Sequence, residues 1–546
     1  MSPENEKQQE TKEKKTFSQV VKDSFKELGI TFVAFAKAPR ALWGINVPYI
    51  LEGLVYFGIL TILGTYGSEN VGLLDTQSGL VYSFVTGGIT LAMLLFGGLA
   101  DKIGVRGSLR LAFLVFVLGR AVIALSGSLG LTGGLWSPMF FTMIAGLLFM
   151  VTAYGLYQPA AYAGVRRYTT PQTAAMGYAV IYGLMNLGAF LSGLISSNTR
   201  HAFEDTFPPN GLTAVFWVYV GISFIALLCT IFLLSKKNDE AAIKKVKEET
   251  DRINEESGKE KEKEEEVKPK EKVKILSTLI FFAITVIFFL FSGFGFKNTI
   301  NQIFDLDLFG WKLKLDLFLV LAAIFLLTTF IDYVRKRPYH PFRDKRFTFF
   351  VFMLIPVQTL FAHNWLTIPY YLNRAFAGSV VSEYFEVFSN LNPILIFVLA
   401  PIVAGLTARA NVYKMMIYGT FVMALPTFLL VIGPNLYLFL LYILLMTIGE
   451  AMWQPRFLQW IAEVAPKNMT GLYMGVGQFP WFLTKVITGF YSGWFLMKYC
   501  PLDTDPSQMN TEFMWLVYAL IAMVTPIALV LAKNWMVKGF KTKHEG

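Results

Sequence analysis

Long apolar stretches separated by short polar connections set the pattern of this chain. Fourteen of them reach or approach the roughly 20 residues that a helix needs to cross a hydrocarbon core about 30 Å thick. Six lie near 41–66, 77–100, 109–128, 138–163, 174–196 and 212–234, and two more near 275–296 and 315–334. The last six lie near 347–368, 389–408, 413–432, 436–455, 470–493 and 512–532. Polarity does not alternate at every second residue, as it would in barrel strands, and an open sheet would expose backbone polar groups to lipid. The pattern therefore predicts an all-α polytopic membrane protein with 14 transmembrane helices.

The polar connections carry a second pattern. With the N-terminus placed on the cytoplasmic side, the alternate inside segments hold 40 Lys and Arg, while the outside loops hold 6. Those six are Arg200, Lys297, Lys312, Lys314, Arg374 and Lys498. By the positive-inside rule both termini are expected in the cytoplasm of a cell-membrane protein. Residues 1–16 are almost entirely polar, so no cleavable leader is expected there. Phe17, Val20, Val21, Phe25 and Leu28 share one helical face, which suits a helix on the membrane surface or a partly ordered leader.

Composition agrees with this picture. Of 546 residues 54% are hydrophobic and only 16% charged, against about 25% charged in soluble domains. Two cysteines, Cys229 and Cys500, rule out a disulfide scaffold. The net charge of +10 follows from membrane orientation, so no nucleic-acid partner is needed. The histidines His201, His340, His363 and His544 form no metal-ligand spacing, and no GxxxxGK[ST] loop occurs. An enzyme, a bound metal, a cofactor and ATP drive within this chain are accordingly not expected.

The connection at 236–274 holds 13 basic and 13 acidic residues, which reads as a solvated linker, helical in part. It separates six spans from eight. The expected organisation is a tail at 1–40, a six-helix bundle at 41–235, the linker at 236–274, a two-helix insert at 275–334, a second six-helix bundle at 335–533 and a tail at 534–546. Without the insert, this is the six-plus-six plan of the major facilitator transporters, whose solute site lies near mid-bilayer. The loop after the second span reads Gly97-Gly98-Leu99-Ala100-Asp101-Lys102-Ile103-Gly104-Val105-Arg106 and resembles the major facilitator signature between helices 2 and 3. Gly97 and Gly104 would permit close approach and a tight turn. Asp101 and Arg106 are the candidates for a cytoplasmic gate that clips helices together in one conformation.

Four ionisable residues stand out within spans: Glu52, Arg120, Glu450 and Lys485. Such residues are costly in lipid and mark a pathway, a pair or a snorkelling side chain. Each half contributes one acid and one base. Glu52 beside Arg120 would change protonation as the pair forms and separates. One proton driven by about 150 mV would sustain roughly a 300-fold solute gradient, at about 2.3 kcal/mol per 100 mV.

Several stretches resemble the proton-dependent oligopeptide transporter family. They include Asn390-Leu391-Asn392-Pro393-Ile394 with Ala400-Pro401-Ile402, and Gly449-Glu450-Ala451-Met452-Trp453-Gln454-Pro455. Ala465-Pro466-Lys467 with Met474-Gly475, and Tyr182-Gly183-Leu184-Met185-Asn186-Leu187-Gly188-Ala189, are similar to further elements of that family. The family's two extra helices between the halves match 275–334. The resemblance implies proton-coupled transport of di- and tripeptides by alternating access, in a monomer. It also implies that Glu450 receives a substrate ammonium group, while Tyr56, Asn186 and Asn392 line the cavity.

The departures are specific. The family's Glu-x-x-Glu-Arg run is reduced to Tyr49-Ile50-Leu51-Glu52-Gly53, and Gln158-Pro159 stands where the fourth helix offers Lys-Pro. The seventh helix has Ala362-His363 where Glu-Gln is common. The missing cations would hold a peptide carboxylate, and Arg120 is the candidate replacement. Candidate substrate-binding residues are therefore Tyr56, Arg120, Gln158, Asn186, Asn392, Glu450 and Lys485, with Glu52 and Glu450 for proton coupling. Carriage of a sugar, nucleoside or drug by the same architecture is the rival reading, and a transport-inactive receptor a more distant one.

Overall fold

The computed structural model describes residues 39–170, 174–256, 276–293, 302–308, 311–337, 340–407, 410–464 and 479–537, together with Gln19, Tyr473, Val476 and Gly477. The anticipated surface helix at 17–28, the linker beyond 256 and the motifs at 465–467 and 474–475 lie outside the described residues.

The first bundle comprises α1 (Arg40–Thr65, prolonged by a π-helical turn Tyr66–Asn70), α2 (Asp75–Ile103), α3 (Val105–Ser128), α4 (Pro138–Arg167), α5 (Ala174–Ala202) and α6 (Leu212–Leu233). The linker begins with α7 (Lys236–Glu256). The insert is α8 (Leu276–Gly293), an antiparallel hairpin β1 (Gln302–Leu308) and β2 (Trp311–Asp316), and α9 (Leu317–Arg335). That hairpin is the departure from an all-α chain. The second bundle holds the broken helix α10 (Lys345–Met353), α11 (Ile355–Leu366) and α12 (Ile368–Ala375), then α13 (Val380–Glu383), α14 (Phe385–Ser389) and α15 (Leu391–Leu406). It continues with α16 (Val412–Ala424, followed by a 3-10 stretch Leu425–Ile432), α17 (Leu436–Val464), α18 (Phe479–Tyr499), α19 (Thr511–Leu531) and α20 (Lys533–Val537).

Among the described residues, eleven helices are long and apolar enough to cross a membrane. Helices α2, α8 and α18 stand at the three remaining expected positions. Two separate cores form, one from α1–α6 around Phe113, Phe116 and Tyr154, the other from α10–α19 around Phe350, Tyr371, Trp453 and Trp515. A third, small cluster of Phe57, Leu60, Tyr82, Ala189, Trp365 and Leu366 lies on the seam between them.

Single expected spans are broken for identifiable reasons. Pro356 and Pro369 lack the N–H that would continue the helical ladder, and α10, α11 and α12 separate there. Thr525 repairs the first break from α19. Its hydroxyl accepts from the Val357 N–H at 3.0 Å and donates to the Met353 carbonyl at 2.7 Å. Pro426 similarly opens the 3-10 stretch after α16.

The halves meet along α2 and α18, with further contacts of α1 on α11 and α12 and of α5 on α14 and α15. Small residues allow this. A Cβ on Gly79 of α2 would lie 2.6 Å from the Gly489 carbonyl of α18, so backbone meets backbone there.

Candidate functional site

Helices α1 and α3 bring Glu52 and Arg120 together inside the first bundle. The guanidinium donates to the carboxylate at 2.8 and 2.5 Å and to the Ser223 hydroxyl of α6 at 2.5 Å. Tyr154 of α4 donates to the same carboxylate, and Arg120 lies over the Phe116 ring at 4.5 Å. Both charged side chains are essentially inaccessible, at 2% and 0% exposure. The expected pair thus exists, but it is sealed within one half. Arg120 was expected to be open to a solute; here its charge is committed to Glu52.

Glu450 has a different setting. It sits on α17, where Asn392 of α15 donates to it at 2.8 Å and to the Thr447 hydroxyl at 2.9 Å. Helix α5 of the other half, which carries Tyr182, packs against α15. Among the described residues no cation pairs with Glu450. The opposing wall is uncharged: the Gln158 amide donates to Tyr49 at 3.2 Å and to Tyr162 at 3.0 Å. Tyr56 packs edge-on to Tyr154 at 5.2 Å. Asn186 is buried and donates to its own helix at Tyr182 O, 2.9 Å away. Lys485 lies on α18 and is half-buried. His363 is buried among Thr367, Tyr491 and Tyr518, a packing role.

The base-poor end of the seam is closed by a network that sequence reasoning missed. Arg374 donates to Asp75 at 2.6 and 2.9 Å, joining α12 to α2. Arg200 donates to Glu386 at 2.6 Å, joining α5 to α14. Each half therefore supplies one acid and one base. Around them Tyr370 meets Ser68 at 3.1 Å, Asn373 donates to Glu69 at 3.2 Å, and Asn390 donates to Thr61 at 3.1 Å. Phe57 packs on Trp365 with ring centres 4.8 Å apart. The signal available beforehand was that Arg200 and Arg374 are rare bases on a side otherwise nearly free of them.

At the opposite, base-rich end, the signature loop turns inward on its own half. Gly104 adopts a φ of 79°, a backbone that glycine tolerates. Arg106 donates to the Leu234 carbonyl at 3.2 Å and approaches Asp239 of α7 at 3.8 Å. Tyr168 donates to Asp239 at 2.7 Å and Arg167 lies 3.3 Å from it. Burial and the neighbouring carboxylate push the Tyr168 hydroxyl above its ordinary range, so it remains a donor. Gly97 and Asp101 lie on α2; their side-chain environment lies outside the described residues.

The Major Facilitator Superfamily model matches residues 49–384, more than half of the chain. The chain belongs to the Major Facilitator Superfamily. Its fold is similar to that of solved peptide transporters. A peptide transporter POT mutant superposes with a TM-score of 0.63 at 16% identity, over 91% of this chain and 95% of that one. A structure described for substrate recognition in proton dependent oligopeptide transporters gives 0.59 at 15% identity, over 91% and 99%. A POT family transporter in complex with 5-aminolevulinic acid gives 0.57 at 15% identity, over 91% and 97%. No curated protein sequence matches the chain.

Proposed function

We propose that this chain is a proton-coupled secondary transporter of small solutes, di- and tripeptides foremost, working by alternating access. The observation that carries this reading is the placement of Glu450. It is a buried carboxylate at mid-helix, held by the neutral Asn392 amide of α15, the helix that packs on α5 of the other half. A carboxylate without a cationic partner accepts either a proton or a substrate ammonium group, and exchange between the two couples their movements. Glu52 is a second coupling acid whose charge is released only when its pair with Arg120 opens. Asn392, Asn186, Gln158 and Tyr56 would line the solute path.

The closed network around Arg374 and Arg200 supports an inward-facing state, sealed on the extracellular side. Gly97, Asp101, Gly104 and Arg106 would form the cytoplasmic gate that closes when the seam opens. The base-rich ends support a cell-membrane placement with both termini cytoplasmic, and the protein would act as a monomer. A thermal-shift screen of the purified protein against dipeptides, nucleosides and sugars tests the solute class. Stabilisation by dipeptides is expected; stabilisation by a nucleoside or sugar alone transfers the site to that solute.

A further inference from the structure

Lys485 belongs to the interior of the molecule. On α18 Phe482, Val486, Gly489 and Gly493 touch α2, and the Lys485 carbonyl accepts a hydrogen bond from Ser83 of α2 at 3.5 Å. The residues that touch α11 are Thr484, bonded to Gln358 at 3.2 Å, and Tyr491, bonded to His363 at 3.0 Å. Phe479, Ile487 and Met497 are exposed and mark the lipid side. At about 100° per residue, Lys485 lies within about 40° of Trp481, Ser492 and Leu496 and about 120–160° from those exposed positions. Ser492 and Leu496 are 0% and 1% exposed, so this is the inward face of the helix.

Its depth matches that of Glu450. Trp453 of α17 and Trp481 of α18 stack with ring centres 6.4 Å apart and planes 14° apart. Glu450 lies three residues from Trp453, and Lys485 four residues from Trp481. Because α17 and α18 run in opposite directions, both steps lead toward the base-poor side, by about 4.5 and 6 Å at 1.5 Å per residue. One acid and one base thus stand at similar depth above a shared tryptophan pair, with no ion pair between them or to any other described residue. In the first bundle the two candidate positions offer no open cation, since Arg120 is bound to Glu52 and Gln158 is neutral.

From this geometry we infer that Lys485 is the carboxylate-binding residue of the solute site, so that the second bundle alone reads both charges of a zwitterion. The ammonium group goes to Glu450 and the carboxylate to Lys485, above the tryptophan pair. The inference rests on the transporter reading above and specifies its site.

Binding to the purified full-length protein tests it, using alanyl-alanine, its C-terminal amide, and the variants K485Q and K485R. The wild-type protein should prefer the free dipeptide to the amide by about 10- to 100-fold, as a hydrogen bond to a charged group would give. K485Q should weaken the free dipeptide to the level of the amide and leave the amide within about twofold, which also reports an intact fold. K485R should keep most of the preference. A K485Q protein that still prefers the free acid places the carboxylate elsewhere and overturns this inference while the transport reading stands. A wild-type protein that binds neither form overturns both.

Discussion

Arg374 and Asp75 lie in different bundles and share two hydrogen bonds, of 2.6 and 2.9 Å, at the base-poor end of the seam. Arg374 also donates to the Cys500 carbonyl at 3.0 Å. Cys500 itself is fully buried beneath this contact. Closure of one side of the molecule therefore has a native chemical reporter.

Removing that contact should open the reporter. In a C229S background, R374A is expected to raise the labelling rate of Cys500 by a membrane-impermeant maleimide severalfold over the unsubstituted arginine. The paired reversal D75R/R374D should restore slow labelling. Equal rates in all three proteins would show that the ion pair does not hold the seam.

The Glu52–Arg120 pair is a test of stability as much as of transport. Replacing Arg120 by Ala leaves a buried carboxylate without its partner, at a cost of about 3–5 kcal/mol. The melting temperature of R120A should fall well below that of the doubly neutral E52Q/R120M, which loses both charges. If R120A melts no lower than the double variant, the two residues do not form one electrostatic unit.

How far was this readable from the chain alone? The spans and the presence of Glu52 and Arg120 within them follow from hydropathy and from the expense of charge in lipid, because those terms are local or large; that the two pair was a hypothesis, since sequence gives no interhelical distance. The sealing of that pair within one half was not readable, since it depends on Tyr154, Ser223 and Phe116 arriving from separate helices. The ion pairs Asp75–Arg374 and Arg200–Glu386 join residues far apart in sequence, and each member taken alone resembles a loop charge. The break at Pro356 was visible as a proline, but its repair by Thr525 is a tertiary event. Lys485 was visible as a charge in a span; its inward direction required the neighbours of α18.

Asp239 is the charged anchor of helix α7, beside the buried Ala242. Asp239 receives Tyr168, Arg167 and Arg106 at 2.7, 3.3 and 3.8 Å. D239A should release the start of the linker, and limited trypsin digestion should cut between residues 236 and 256 several times faster than in the wild type. Unchanged cleavage would mean that the helix is held by Ala242 and its apolar neighbours alone.

At Gly79 and Gly489 the seam between α2 and α18 has no room for a larger side chain. Introducing Leu at Gly489 places atoms where Ser83 and the Gly79 backbone already lie. G489L should prevent closure of the base-poor side, abolish turnover and speed labelling of Cys500. Normal uptake by G489L would show that this contact is not made during the cycle.

The central claim is that a buried carboxylate exchanges a proton for a solute. It is tested most directly by dipeptide uptake into proteoliposomes under an imposed pH gradient, compared between wild type and E450Q. Accumulation above equilibrium in the wild type, lost in E450Q, is the predicted result. Uptake that never exceeds equilibrium in the wild type, or gradient-driven accumulation that survives in E450Q, would contradict the account.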